Sequence, residues 1–427
     1  MSETTMEPHG GAPRPQPAPG EPPTRGSSWA RLALVVALTV AVGVWASLSV
    51  VAVIAALVVI IFLHELGHYL TARAAGMKVT EFFIGFGPKL WSIQRGETTY
   101  GVKAIPAGAY VRIIGMSNLE EVDPAEEHRT YRHQSYPRRL AVAVAGSAMH
   151  FLMAFALVYT ILVGLGVPDR GSDRWRVGTL SQLQDGPSPA LEAGVEIGDR
   201  IVAVDGRRFG SFDDLAAYLR DRPGERVSLV VERDGRRLVL ETTLTERREG
   251  GETMGFLGIG PQFERVRTGP VRGVVDAAQA TGETMWLSVK GLGQVFSPAG
   301  ISGYLDTLTQ QGPEGPGRAD DGTGDNRLVS VVAVVQVASQ AGSVAGSLQL
   351  LFLVNVFLGV FNLVPLLPFD GGHVAIATYE RIRSRKGRRH VADVTKLLPL
   401  TYAVVVVLAF IFVTTVYLDL ANPISVR

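Results

Sequence analysis

The sequence predicts an α-helical, polytopic membrane protein with a soluble α+β unit inserted between its spans. Three observations predict it. Hydrophobic residues make up 47% of the 427 and charged residues only 19%, a balance that leans toward the membrane class. A bilayer span takes about 20 helical residues, and apolar stretches of that order fall at Leu32–Leu63, about Leu140–Gly166, about Gly346–Pro368 and about Leu397–Leu420. Between the second and third, residues 174–247 alternate and turn as soluble strands do. A net charge of +1 without a basic stripe excludes a nucleic-acid partner. The absence of cysteine removes disulfides, thiolate metal sites and cysteine nucleophiles. Any transition metal therefore falls to histidine and carboxylate ligands.

Residues 1–30, rich in Pro, Gly and Ser, read as a disordered tail. Residues 31–166 form an N-terminal membrane part. Its first stretch, Leu32–Leu63, is too long for a signal-peptide core. It is one long tilted helix or two spans turning near Gly43–Ser49; two spans require the second helix to run past His68 to about Ala75. Within 76–137, the runs Thr99-Tyr100-Gly101-Val102 and Ala109-Tyr110-Val111-Arg112-Ile113 read as a β-hairpin or small sheet. From Trp175 to about Glu246 come short strands, a Gly-Asp turn and a helix at Phe212–Arg222. Residues 248–345 read as linker and amphipathic segments, with a flexible Gly/Asp-rich loop at Gly312–Asn326 and a surface or re-entrant helix at 328–345. Residues 346–427 hold the last two of four core spans. Basic residues mark cytoplasmic loops. Arg381, Arg383, Arg385, Lys386, Arg388, Arg389 and Lys396 place the last loop there, and Arg138 and Arg139 do the same for 76–137. The soluble unit then lies on the extracytoplasmic side.

The chemistry concentrates in His64-Glu65-Leu66-Gly67-His68, at the end of the first apolar run. Histidines four apart share one helix face, so both imidazoles can reach one metal ion, and Glu65 between them can serve as a base. A central charge in lipid costs roughly 2.5–3.5 kcal/mol, which argues against accident. A catalytic zinc site takes three protein ligands and keeps one position open. Asp370 is the candidate third ligand. It closes a segment running from Asn362 through Pro365 and Pro368 to Gly371, Gly372 and His373, at the same end of the membrane as His68. The prolines unwind the helix, and the Asn362 amide is placed to stabilise a developing oxyanion. The blander readings are a helix end whose His and Glu reach for water, and an interfacial turn with Asp370 as a cap.

These two motifs, in this order around an inserted soluble unit, resemble the site-2 protease family of zinc intramembrane metalloproteases, and in particular its bacterial branch with a PDZ domain. The resemblance covers roughly residues 50–425. It implies that His64, His68 and Asp370 bind Zn2+, that Glu65 activates water and that Asn362 holds the scissile carbonyl. It also implies a bacterial plasma-membrane enzyme acting on membrane-embedded regulators, often anti-sigma factors, with no nucleic acid involved. Pro187–Val195, Ile197–Ile201 and Val204-Asp205-Gly206 resemble a PDZ unit, which would bind peptide C-termini or exclude bulky ectodomains. Gly85-Phe86-Gly87-Pro88 and the strands through Val111 resemble the family's membrane-associated β-sheet, where an unwound substrate could add as a strand. One departure stands out. Where the family has Gly-Pro-x-x-Asn, this chain reads Gly146-Ser147-Ala148-Met149-His150. His150 is then a helix-packing histidine or a group close to the metal, and His373 a cap or supporting group. The rival from another class is a non-catalytic PDZ scaffold that binds peptide tails. The intact Glu65 argues against it, because a structural metal site has no use for an adjacent base. A metal transporter would need more polar residues along its spans.

Overall fold

A computed structural model describes residues 48–117, 120–171, 173–183, 186–249, 252–309, 344–384 and 390–421. The N-terminal tail, residues 32–47, the Gly312–Asn326 loop, nearly all of 328–345 and the basic residues Arg385, Lys386, Arg388 and Arg389 lie outside them. Among the described residues, four helical segments are long and apolar enough to cross a bilayer. They are α1 (Leu48–Ala74), α2 (Tyr136–Tyr159, continued to Leu165 by a wider π-helical turn), and, after the inserted unit, α6 (Val344–Asn362) and α8 (Leu398–Ala421). The chain is a multi-pass membrane protein.

Local chemistry sets the helix ends. Pro137 occupies the first turn of α2, where a missing N–H costs nothing. α6 stops at Asn362, short of the Pro368 that hydropathy alone suggested. Pro365 has no N–H to donate and disfavours helix at Val364 before it. The turn that follows is closed by bonds such as Val364 N–H to Phe361 O at 3.1 Å and Phe369 N–H to Leu366 O at 3.0 Å. A new helix, α7 (Asp370–Arg383), starts at Asp370 itself. A Cβ on Gly371 would strike the carbonyls of Leu363 and Val364, and one on Gly372 would lie 2.7 Å from the Leu367 nitrogen. Glycine lets the turn fold back onto α7 and bring Asp370 round.

α1 and α2 cross where small residues permit close approach. A Cβ on Gly67 would lie 2.7 Å from the Ala145 carbonyl oxygen. α2 and α6 share an apolar core of Ala154, Val158, Phe352, Val356 and Val360. α4 (Pro270–Val295), followed by α5 (Pro298–Thr309), presses its Gly273–Ala277–Thr281 stripe against them, one residue per turn. At the other end of α2, Arg139 is buried and its Nη1 donates to Glu380 of α7 at 2.5 Å. Its charge is spent inside the protein, whereas loop counting had treated it as an interfacial marker.

Two long strands follow α1: β1 (Val79–Arg95) and β2 (Thr98–Ile113). The two strand-like runs read from the sequence both lie on β2. They sit on either side of β1, because Glu81 faces both Arg112 and Thr99, and Ile84 both Ala109 and Val102. Gly85 and Gly108, both at positive φ, allow the irregular register that this doubling needs. Tyr69, Ala72, Met77, Val79, Ile113, Tyr131 and Val142 bury the junction of α1, α2 and the sheet.

The inserted unit has its own core. β3 (Arg176–Leu180), β4 (Arg200–Val204), α3 (Phe212–Arg220), β5 (Arg226–Arg233), β6 (Arg236–Thr243), β7 (Thr245–Glu249), β8 (Glu252–Phe256) and β9 (Ile259–Gln262) surround Val177, Val204, Leu215, Leu229, Val231, Leu244 and Leu257. β5 is central to a three-stranded antiparallel sheet with β4 and β6, β9 pairs with β3, and β7 with β8. Ser211 caps α3 by accepting from the Asp214 N–H. Residues 265–266 pair with 167–168, so the chain leaves and rejoins the membrane part at one point.

Candidate active site

α1 delivers His64 and His68 one turn apart, and the fold brings Asp370 to them across 302 and more residues of chain. Asp370 Oδ2 lies 3.5 Å from His64 Nε2 and 3.2 Å from His68 Nε2. The two Nε2 atoms are 3.3 Å apart. Both histidines are buried, and among the described residues these three form the cluster with the spacing of a metal site. His68 Nδ1–H donates to the Val142 carbonyl at 2.8 Å, which leaves its Nε2 lone pair facing inward.

A zinc ion fits this arrangement. Nitrogen and oxygen ligands about 2.0–2.1 Å from a tetrahedral ion stand about 3.3–3.4 Å from one another, and the three separations straddle that value. Asp370 Oδ2 is buried without a hydrogen-bond partner, which would be costly unless a cation met it. Two facing lone pairs and a carboxylate repel one another until a positive charge sits between them. Gly146 of α2 makes the space: a Cβ there would lie 2.5 Å from His68 Nε2 and 2.6 Å from His64 Nε2. Sequence reading quoted Gly146 only as part of a motif. Its necessity appears once α2 is laid across α1.

Glu65 is half-buried between the histidine pair and the sheet, with the Val111 main chain of β2 approaching its carboxyl. Asn362 ends α6, half-buried; among the described residues no hydrogen bond joins it to the three converging groups. His150 and His373 stand outside that group of three. His150 bonds to Asn355, a residue that sequence reading passed over, and its ring centroid is 4.9 Å from that of His64. His373 packs edge-on against Tyr131, 6.1 Å between centroids. The signal for Asn355 was available: a polar side chain inside an apolar span is seldom idle.

Comparison with known proteins gives the family. The pattern described as Peptidase family M50 matches residues 52–312 and 322–408. The chain is 38% identical over 404 residues to zinc metalloprotease Rip1 of Mycobacterium tuberculosis H37Rv, covering 86% of this chain and 96% of that protein. It is 35% identical over 405 residues to zinc metalloprotease Rip1 of Mycolicibacterium smegmatis, covering 87% and 97%. With His64, His68 and Asp370 grouped at the spacing of a possible metal site and a family match across most of its length, the chain belongs to peptidase family M50, the family of the site-2 proteases.

Proposed function

We propose that this membrane protein is a zinc-dependent intramembrane endopeptidase in which His64, His68 and Asp370 hold the metal, Glu65 is the general base and Asn362 stabilises the oxyanion. The observation that carries the reading is the mutual spacing of three ligand atoms, 3.2 to 3.5 Å, around a buried carboxylate oxygen that has no other partner. When bound, zinc supplies Lewis acidity, lowering the pKa of water to about 7 and polarising a carbonyl. Glu65 takes the proton of the attacking water and passes it to the departing amide nitrogen. The Asn362 amide donates to the carbonyl oxygen as its charge grows. Helical substrate hides its carbonyls, so the chain to be cut must unwind first. The outer ribbons of the β1–β2 sheet, with Phe86, Ile93 and Ile105 exposed, suit pairing with such an unwound segment at the membrane surface.

The substrate class is a membrane-spanning regulator such as an anti-sigma factor, cleaved in regulated intramembrane proteolysis. The unit proposed at 174–247, which with β8 and β9 runs on to Gln262, serves as an extracytoplasmic PDZ-like module that reads a peptide end or filters by size, and the remainder of 248–345 as linker and amphipathic segments. The test compares membrane fragments in cells carrying wild type and Glu65→Ala. The variant should accumulate uncut regulators while keeping its zinc and its membrane insertion. Identical fragment profiles would reject the mechanism.

A further inference from the structure

The membrane core buries one more polar pair, and the steps above make no use of it. His150 on α2 and Asn355 on α6 are 2% and 0% exposed. His150 Nδ1 lies 3.2 Å from Asn355 Oδ1, and Asn355 Nδ2 donates to the Leu351 carbonyl at 2.8 Å. With the amide nitrogen committed to Leu351, the amide oxygen faces the imidazole, so His150 Nδ1 carries the proton and donates. One bond thus fixes both the ring plane and the tautomer of His150. The ring then rests against His64, 4.9 Å between centroids and tilted by 46°.

His64 and His68 are held differently. His68 is anchored through Nδ1–H to Val142, the outer hydrogen bond that ordinarily orients a metal-binding histidine. His64 Nδ1 is buried and has no hydrogen-bond partner. Its ring is held by what packs around it: the Gly146 backbone on one side, where a Cβ would come within 2.6 Å of Nε2, and His150 on another. An aliphatic side chain in place of His150 would have no hydrogen bond to Asn355 to set its orientation against His64; the imidazole has one.

We propose that His150, locked by Asn355, is a positioning residue that orients the His64 imidazole for metal binding, in place of the hydrogen bond that His64 Nδ1 lacks. This rests on the reading that His64, His68 and Asp370 hold zinc. The pair acts through His64 and touches neither the metal nor the substrate.

The experiment measures zinc affinity by chelator competition, and the visible spectrum of the cobalt-substituted protein, on the purified full-length chain in detergent. Outer hydrogen-bond partners of metal ligands are worth about 10- to 100-fold in affinity. Asn355→Leu and His150→Leu should each weaken zinc binding by that order and shift the cobalt spectrum. The double variant should be no worse than the poorer single one, because the two residues act as a unit. Should either variant fail to fold, His150→Gln keeps an amide donor for Asn355 but has no ring to set against His64; it should lose at least about tenfold, the weak end of that effect. His64→Ala separates the two levels. Retained zinc in His64→Ala would reject the three-ligand reading itself. Loss in His64→Ala, with unchanged affinity and spectrum in the Asn355 and His150 variants, would overturn only the positioning role. A fall in kcat with both metal readouts unchanged would also overturn it, since it would put His150 on the substrate.

Discussion

Gly146→Ala inserts one methyl group where the two imidazoles converge. The added Cβ would lie 2.5 Å from His68 Nε2 and 2.6 Å from His64 Nε2, against 3.4 Å for an ordinary contact. Relief requires the rings or the α1–α2 crossing to give by close to 1 Å. The helices resist, because Gly67 is already seated against the Ala145 carbonyl. Overpacking of this kind costs about 1–3 kcal/mol. The larger effect is on the metal, whose ligand distances hold only within about 0.2 Å, and on the reaction, where a misplacement of about 1 Å costs on the order of 100-fold. Purified protein would be assayed for bound zinc by mass spectrometry and for cleavage of a tagged membrane substrate. We expect Gly146→Ala to insert normally, to lose most of its zinc and to cut on the order of 100-fold more slowly. Gly164→Ala is the control, since its Cβ would meet only Thr160 Cγ2 at 3.9 Å. Wild-type zinc content and turnover in Gly146→Ala would refute the placement of the metal between the histidines and α2.

Two further predictions concern stability. Asp199 is buried in the inserted unit and accepts from Arg233 Nε at 2.8 Å, Arg233 Nη2 at 2.7 Å and the Glu196 N–H at 2.9 Å. The Arg233 bonds hold its carboxyl below the usual aspartate range, against the opposing pull of burial. The unfolded chain therefore binds the proton first, so this stabilisation is present above about pH 4 and fades as pH falls through the lower folded value. Protection of β5 amides from hydrogen exchange, taken relative to the intrinsic rate at each pH, should fall on acidification below that point, and Arg233→Leu should flatten the dependence; an acid profile identical in the variant would contradict the assignment. The second concerns Glu380, which takes Arg139 on one oxygen and the Ala392 N–H at 2.8 Å on the other. Glu380→Ala, leaving Arg139 charged and buried, should lower stability in detergent by about 3–5 kcal/mol, whereas Arg139→Met with Glu380→Leu should recover most of it. Equal melting temperatures for the single and double variants would show that the pair is not dry.

Much of the site was legible because its grammar is local. An i, i+4 pair of histidines needs only a helix to become a metal face, and the prolines before Asp370 announce where the next helix breaks. The span positions were legible for the same reason, since hydropathy over one helix length is a local property. What stayed hidden depends on contacts between segments far apart. Nothing near Gly146 says that a helix will cross it, and nothing near His150 names Asn355 as its partner 205 positions on. Arg139 shows how local rules mislead: counted with Arg138 as a loop charge, it is in fact neutralised inside the protein by Glu380. The doubled sheet was missed likewise, because alternation gives strand character but not which strand lies beside which.

The central claim is tested most directly by X-ray absorption at the zinc edge on the purified full-length protein, with Asp370→Asn alongside. We expect one zinc per chain with a first shell of two imidazole nitrogens and carboxylate or water oxygen at about 2.0–2.2 Å, altered in Asp370→Asn. A wild-type shell without two imidazoles, or a spectrum that Asp370→Asn leaves unchanged, would contradict it.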